Sequence, residues 1–116
     1  MRDFKIASEA RVPEVIFRFC YDTLLKAAIA VCAKNGLRVK ARKGHHYELI
    51  NRLAEFIGDD DVNAIGNEMR SKRNWDLYGG GFGVSKKEAR EYLRWTKAVV
   101  EKVEKYLRND NQKRLL

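Results

Sequence analysis

The longest apolar stretch of the chain runs from Val15 to Ala33 and is interrupted by Arg18, Asp22, Thr23 and Lys26. The three charged residues stand four apart, so on a helix they form one narrow stripe of paired charge while the rest of the surface is apolar or small. A helix of that pattern is buried on most sides, by its own bundle or by a second copy of the chain. Three charges in nineteen residues argue against a membrane span. Pro13 and Glu14 suit its first turn, and Asn35-Gly36 its end. A second amphipathic pattern follows over His46–Ile57, with apolar residues at 49, 50, 53, 54, 56 and 57 and a stop at Gly58. A third helix is expected from Val62 to Leu77, with Asp59, Asp60 and Asp61 as N-cap candidates and the glycines of Gly79 to Gly83 as its break. Ser85-Lys86-Lys87-Glu88 reads as a capping box. The fourth helix that it opens places Ala89, Tyr92, Leu93, Val99, Val100, Val103, Tyr106 and Leu107 on one face. Short connections predict antiparallel neighbours. The expected fold is all-α: an antiparallel bundle of four to five helices, a single domain over residues 1–116 with its core at about 13–108, ending in a frayed polar tail from Asn109 to Leu116.

Composition narrows the class. A chain of 116 residues suits one domain with one core. Hydrophobic residues at 45% and charged residues at 34% exclude a disordered chain. Lys and Arg outnumber Asp and Glu by 24 to 16, and the resulting +8 favours an anionic partner such as nucleic acid. Residues 1–11 alternate charged and apolar positions without an apolar run, so no signal peptide is read and a cytoplasmic location is expected. Cys20 and Cys32 stand twelve apart on one helix, hence roughly 18 Å, too far for a disulfide. Each reads as a small buried hydrophobe in a reducing compartment. His45 and His46 are adjacent and cannot share a helix face as a metal pair would, and no second Cys or His cluster stands nearby. Neither a metal nor another cofactor is expected.

The third helix carries the candidate chemistry. Val62, Ile65 and Met69 define its apolar face, and one turn further that face reaches Arg73 and Asp76 instead of Leu or Val. Beside it runs a polar stripe of Arg70, Asn74 and Tyr78, each four from the next, with Trp75 pointing the opposite way. An arginine on an otherwise buried face must be paired or must face a polar cavity. It is therefore either half of a structural Arg73–Asp76 pair, at a dimer seam, or part of a site. The basic run Arg38, Lys40, Arg42 and Lys43 has no acid among it, and reads either as a solvated loop or as a contact for phosphates. The glycine run lacks Walker spacing and follows no strand, so it reads as a flexible break between helices. Trp75, Trp95 and Tyr92 belong either to the core or to a base-stacking surface.

Arg70-Ser71-Lys72-Arg73-Asn74-Trp75-Asp76-Leu77-Tyr78 resembles the signature of prokaryotic HEPN domains. Gly44-His45-His46-Tyr47-Glu48-Leu49-Ile50 resembles the segment that opens the second core helix of many of them, and the likeness covers roughly Val15 to Leu107. It implies a small helical bundle, usually a homodimer in which two copies of the motif meet in a basic cleft. Many members are metal-independent ribonucleases acting as toxins, and many are partnered with a small nucleotidyltransferase. In active members the motif reads Arg-Asn-x-x-x-His. Carried over, Arg73 is the phosphate-stabilising arginine and Asn74 its polar neighbour; beside them Arg70, Lys72 and the run Arg38, Lys40, Arg42 and Lys43 are, by their charge, the candidate nucleic-acid contacts.

The histidine position falls on Tyr78. Metal-free RNA cleavage needs a base for the ribose 2′-OH and an acid for the leaving oxygen. Imidazole serves both near neutral pH, whereas a tyrosine of pKa about 10 serves neither well. Tyr78 is then left to orient the phosphate or to carry a modification. His46 is either the missing imidazole or a capping and packing residue at a helix start. The function implied is a homodimer binding RNA or a nucleotide in a basic cleft, of the toxin–antitoxin, nucleotidyltransferase-associated kind, either cutting RNA or only holding it. The alternative is a non-catalytic structural or interaction dimer of helices.

Overall fold

Four helices carry the fold: α1 over Pro13–Lys34, α2 over His45–Ile57, α3 over Asp60–Leu77 and α4 over Lys86–Leu115. The structure, a computed structural model, describes residues 13–77 and 83–115, with side chains over 13–74 and 83–108. No strand occurs among the described residues, and the molecule is an all-α bundle. Met1 to Val12, Tyr78 and the glycines from Gly79 to Gly81 lie outside them, as do the side chains of Trp75 and Asp76.

α1 packs against each of the other three helices. Its Phe17, Cys20, Tyr21, Leu24, Ala28 and Val31 are wholly withdrawn from water, whereas Arg18, Asp22 and Lys26 form the exposed stripe that their spacing predicts. Each large side chain so buried contributes about 1.5–3 kcal/mol before entropy is counted. The bundle itself therefore covers most of this helix. Val15 and Ile29 remain more than half exposed, at 53% and 54%.

The helix ends follow local chemistry. Gly36, with φ of 72°, ends α1 as the amide of Leu37 reaches the Cys32 carbonyl at 2.8 Å and that of Gly36 reaches Ala33 at 3.0 Å. Gly58 closes α2 in the same way, with Asp59 bonded back to Ala54. Asp59 then caps α3, its Oδ1 accepting from the Asp61 amide at 3.0 Å. This cap starts α3 at Asp60, two residues before the expected Val62. In the Ser85–Glu88 box, the Glu88 amide donates to Ser85 Oγ at 3.0 Å and the Ser85 amide donates to Glu88 Oε1 at 3.2 Å. The backbone of α4 continues to Leu115, where a frayed tail was expected. No Gly or Pro stands in that segment to stop it.

The connector between α1 and α2 is irregular, yet its alternation has a structural sense. Leu37 and Val39 pack on the core while Arg38 and Lys40 point to solvent. Gly66 sets the distance between α3 and its neighbours: a Cβ there would stand 2.7 Å from Ile50 Cγ2 and 3.2 Å from Leu24 Cδ2.

Candidate functional site

Two buried stripes bring the site together. On α3 the stripe runs Val62, Gly66, Met69 and then Arg73; on α2 it runs His46, Ile50, Leu53. The turn at Gly58 makes the two helices antiparallel, as the pairs Asn51–Asn63 and Tyr47–Arg70 show. The end of α3 therefore meets the start of α2. Arg73 and His46 converge there over the middle of α1, where Tyr21 lies.

Arg73 is half-buried, its guanidinium carbon 5.5 Å from the centre of the Tyr21 ring. Arg70, one turn earlier, sits 5.5 Å from the ring of Tyr47, which is itself half exposed. Arg70 Nε donates to Asn67 Oδ1 at 3.2 Å. Behind that bond, Asn67 and Asn63 both donate to Asn51 Oδ1 across the α2–α3 seam. Among the described residues no carboxylate comes within ion-pair distance of either arginine. The Asp76 carboxylate of the ion-pair reading lies outside the described side chains.

Tyr21 is fully buried and its hydroxyl shares a hydrogen bond of 3.0 Å with His46 Nδ1. Burial pushes the phenol up to about 12, with Arg73 and Arg70 pulling the other way. Burial also lowers the pKa of His46, and the neighbouring His45 and Arg73 lower it further. The His46 imidazole is accordingly neutral at physiological pH. His45 packs edge-on against it with ring centres 4.3 Å apart, and its Nδ1–H donates to the Arg42 carbonyl at 2.8 Å. A carbonyl can only accept, so Nδ1 of His45 carries a hydrogen. Gly44, at φ of 83°, makes the turn that starts α2 at this point.

Lys72 faces the other way. Its Nζ lies 3.1 Å from Glu88 Oε2, 3.8 Å from Glu68 Oε1 and 5.1 Å from the Tyr92 ring centre. Burial opposes its charge, but the Tyr92 hydroxyl and the Glu88 carboxylate outweigh that and raise its pKa. The structure thus separates Lys72 from the two arginines and spends it on the α3–α4 seam. Asn74 is exposed on the outer surface of α3. Arg38, Lys40, Arg42 and Lys43 are all exposed, and the run ends beside the histidines through the Arg42–His45 bond. Arg42 also approaches Glu48 at 3.9 Å.

Of the aromatic candidates, Tyr92 is core, meeting Phe17 edge-on at 5.4 Å, and Trp95 packs partly buried against the core. Cys20 and Cys32 are buried thiols, and burial raises the Cys20 pKa to about 11. Five residues escaped sequence reasoning: Tyr21, whose spacing reads as core; Tyr47, the first exposed residue of a helix; and Asn51, Asn63 and Asn67 with their side-chain amides. The 63, 67, 70, 74 spacing did carry a signal, because it extends the polar stripe of α3 by two turns toward its start.

The arrangement can hold an anion. Two guanidinium groups braced on tyrosine rings offer fork-shaped donors that match phosphate oxygens, and no carboxylate among the described residues lies within ion-pair distance of them. The fold and this patch define an all-α bundle with a basic, aromatic-lined cluster at the α2–α3 end. Comparison of the chain with protein-family models, curated proteins and solved structures returned no match.

Proposed function

We propose that the protein is a HEPN-type homodimer that binds RNA or a nucleotide through the Arg70–Arg73 cluster. In this reading it belongs to the kind partnered with a nucleotidyltransferase in toxin–antitoxin pairs, and it acts on RNA without a metal. The observation that carries the reading is the convergence of Arg70 and Arg73 on one end of the bundle with no carboxylate against either among the described residues. The +8 charge and the exposed basic run beside His45 support a polyanionic ligand. Val15 and Ile29 give a second copy something apolar to cover on α1.

Anisotropy of a labelled single-stranded RNA pool, titrated across salt concentrations, tests the reading, with light scattering on the same samples for the dimer. Affinity is expected to fall by roughly 0.7 log units per log unit of salt for each phosphate contacted. Absence of binding at low salt would sink the proposal. An Arg73→Ala variant that falls to monomers yet binds as before, once corrected for the dimer, would favour the structural dimer instead.

A further inference from the structure

We propose that His46 is the general base of this site, accepting the proton of a ribose 2′-hydroxyl at Nε2 while the Tyr21 oxygen holds its Nδ1–H. The inference rests on the reading of the site as one for RNA. Its own support is the geometry around the imidazole. A base that works by accepting a proton needs a fixed tautomer, an orienting partner and a nearby cation for the charge that develops on the substrate. Tyr21 engages Nδ1 at 3.0 Å, and in the tautomer with the hydrogen on Nδ1 the lone pair stands on Nε2. That bond survives protonation of the ring only when Nδ1 carries the hydrogen and the tyrosine oxygen accepts it, because the imidazolium is a donor at both nitrogens. Arg73, seated over the same tyrosine ring, stands where a phosphate can be neutralised.

The electrostatics agree with that role. The groups facing His46 are Tyr21 and Asp22 from α1, His45 beside it on α2, and Arg73 and Arg70 from α3; no charged group of α4 acts on it among the described residues. Burial, His45 and the two arginines all disfavour the imidazolium, and Asp22 alone opposes them. The base is therefore in its working form at neutral pH without any change in the protein.

The step balances as a transesterification. The 2′ oxygen gives its proton to His46 Nε2 and bonds to phosphorus, the bond from phosphorus to the 5′ oxygen breaks, and that oxygen takes a proton from solvent water. The imidazolium then returns its proton to solvent. The products are a 2′,3′-cyclic phosphate and a free 5′-hydroxyl, and no oxidant, reductant or metal enters.

The test incubates the full chain in excess EDTA with an RNA oligonucleotide and with its all-2′-deoxy counterpart, using wild type, His46→Gln, His46→Ala, Tyr21→Phe and Arg73→Ala, each checked for helicity by circular dichroism. The wild type is expected to cut the RNA, to leave cyclic phosphate ends, and to bind the deoxy strand without cutting it. Both His46 variants should lose about 10²–10⁴-fold in rate while RNA affinity changes by less than about threefold, and added imidazole should restore part of the rate of His46→Ala. Tyr21→Phe, which removes only the orienting partner, should lose about tenfold. The wild-type rate should rise with pH through a midpoint below the usual imidazole value of about 6.5. Cleavage by folded His46→Gln at the wild-type rate, with Arg73→Ala inactive, would overturn the base while leaving an RNA-cutting site. A wild type that binds RNA but does not cut it would overturn the base and leave a binding module. A wild type that binds no RNA would remove the underlying reading and this one with it.

Discussion

Lys72 and Arg73 are neighbours in sequence and opposites in circumstance. Lys72 turns toward α4 and is held by Glu88, Glu68 and the face of Tyr92, so its charge is matched within the fold. Arg73 turns toward α1 and α2 and finds a tyrosine ring and a neutral imidazole. One charge is consumed in joining helices; the other is presented, half-buried and braced, at the end of the bundle. The difference teaches that the count of basic residues in a motif says little about a site until each is assigned to a face of its helix. An ion pair against carboxylates keeps a lysine in place, and aromatic support keeps an arginine oriented without neutralising it.

The sharpest way to break this comparison is to remove each charge separately. Arg73→Ala should weaken RNA binding by roughly 10–100-fold, the worth of one or two charge-assisted hydrogen bonds, and flatten the salt dependence by about 0.7 in log–log slope. Lys72→Ala should leave affinity within about twofold and lower stability by at most about 1 kcal/mol, since its pairs are partly exposed. Equal losses of affinity in titrations of the two variants would erase the distinction drawn between the two faces of α3.

A smaller effect is expected from the spacing that sets both faces. In Gly66→Ala the new methyl would stand 2.7 Å from Ile50 Cγ2, on a buried β-branched side chain that a helix holds to one strongly preferred rotamer. Overpacking costs about 1–3 kcal/mol, against about 1 kcal/mol returned by helix propensity. A fall in Tm of several degrees is expected in calorimetry; an unchanged or raised Tm would show that α3 does not depend on that close approach.

Thr96 offers a control on the dry side of the molecule. Its fully buried hydroxyl has no well-formed hydrogen bond, although the Cys20 thiol lies beside it. Thr96→Val should therefore be neutral or stabilising, within about 1 kcal/mol, by denaturant unfolding. A loss above that range would reveal a bond that the hydroxyl needs.

The smallest effect is that of pH on stability. His46 has a lowered pKa in the folded state, so below the ordinary imidazole value the unfolded chain binds the proton more readily than the folded one. Stability is then lost as pH falls through about 6.5 toward the folded-state value, and the loss levels off below it. Urea midpoints between pH 8 and 5 should show this fall, and it should shrink in Arg73→Ala, which removes one of the charges that disfavour the imidazolium. A midpoint flat across that interval would mean that His46 titrates as a solvated residue.

Much of the fold was legible in the chain because it is written in local rules. The charge stripe of α1, the left-handed glycine at 36, the Asp59 cap and the Ser85–Glu88 box depend on residues within a turn or two of each other, and the structure has them as read. The boundary that moved was set by the Asp59 cap, and α4 outran expectation where polarity suggested a tail but nothing in the backbone forced an end. The site was legible in half. Arg73 stood out as a charge continuing an apolar stripe, and Arg70 as its neighbour one turn away.

What one sequence position could not tell was what lies opposite. Periodicity assigns residues to faces within a helix, and that is enough for the all-α class, the core stripes and the candidate arginines. Which face meets which helix depends on how α2 and α3 pack across α1, a matter of shape and of the close approach at Gly66. That packing alone placed Lys72 against Glu88, sixteen residues away, and drew Tyr21 to His46, twenty-five residues away. Helical order follows from hydrogen bonds and contacts spanning four residues; the electrostatic environment of a side chain is set by whatever the tertiary structure brings within a few ångströms.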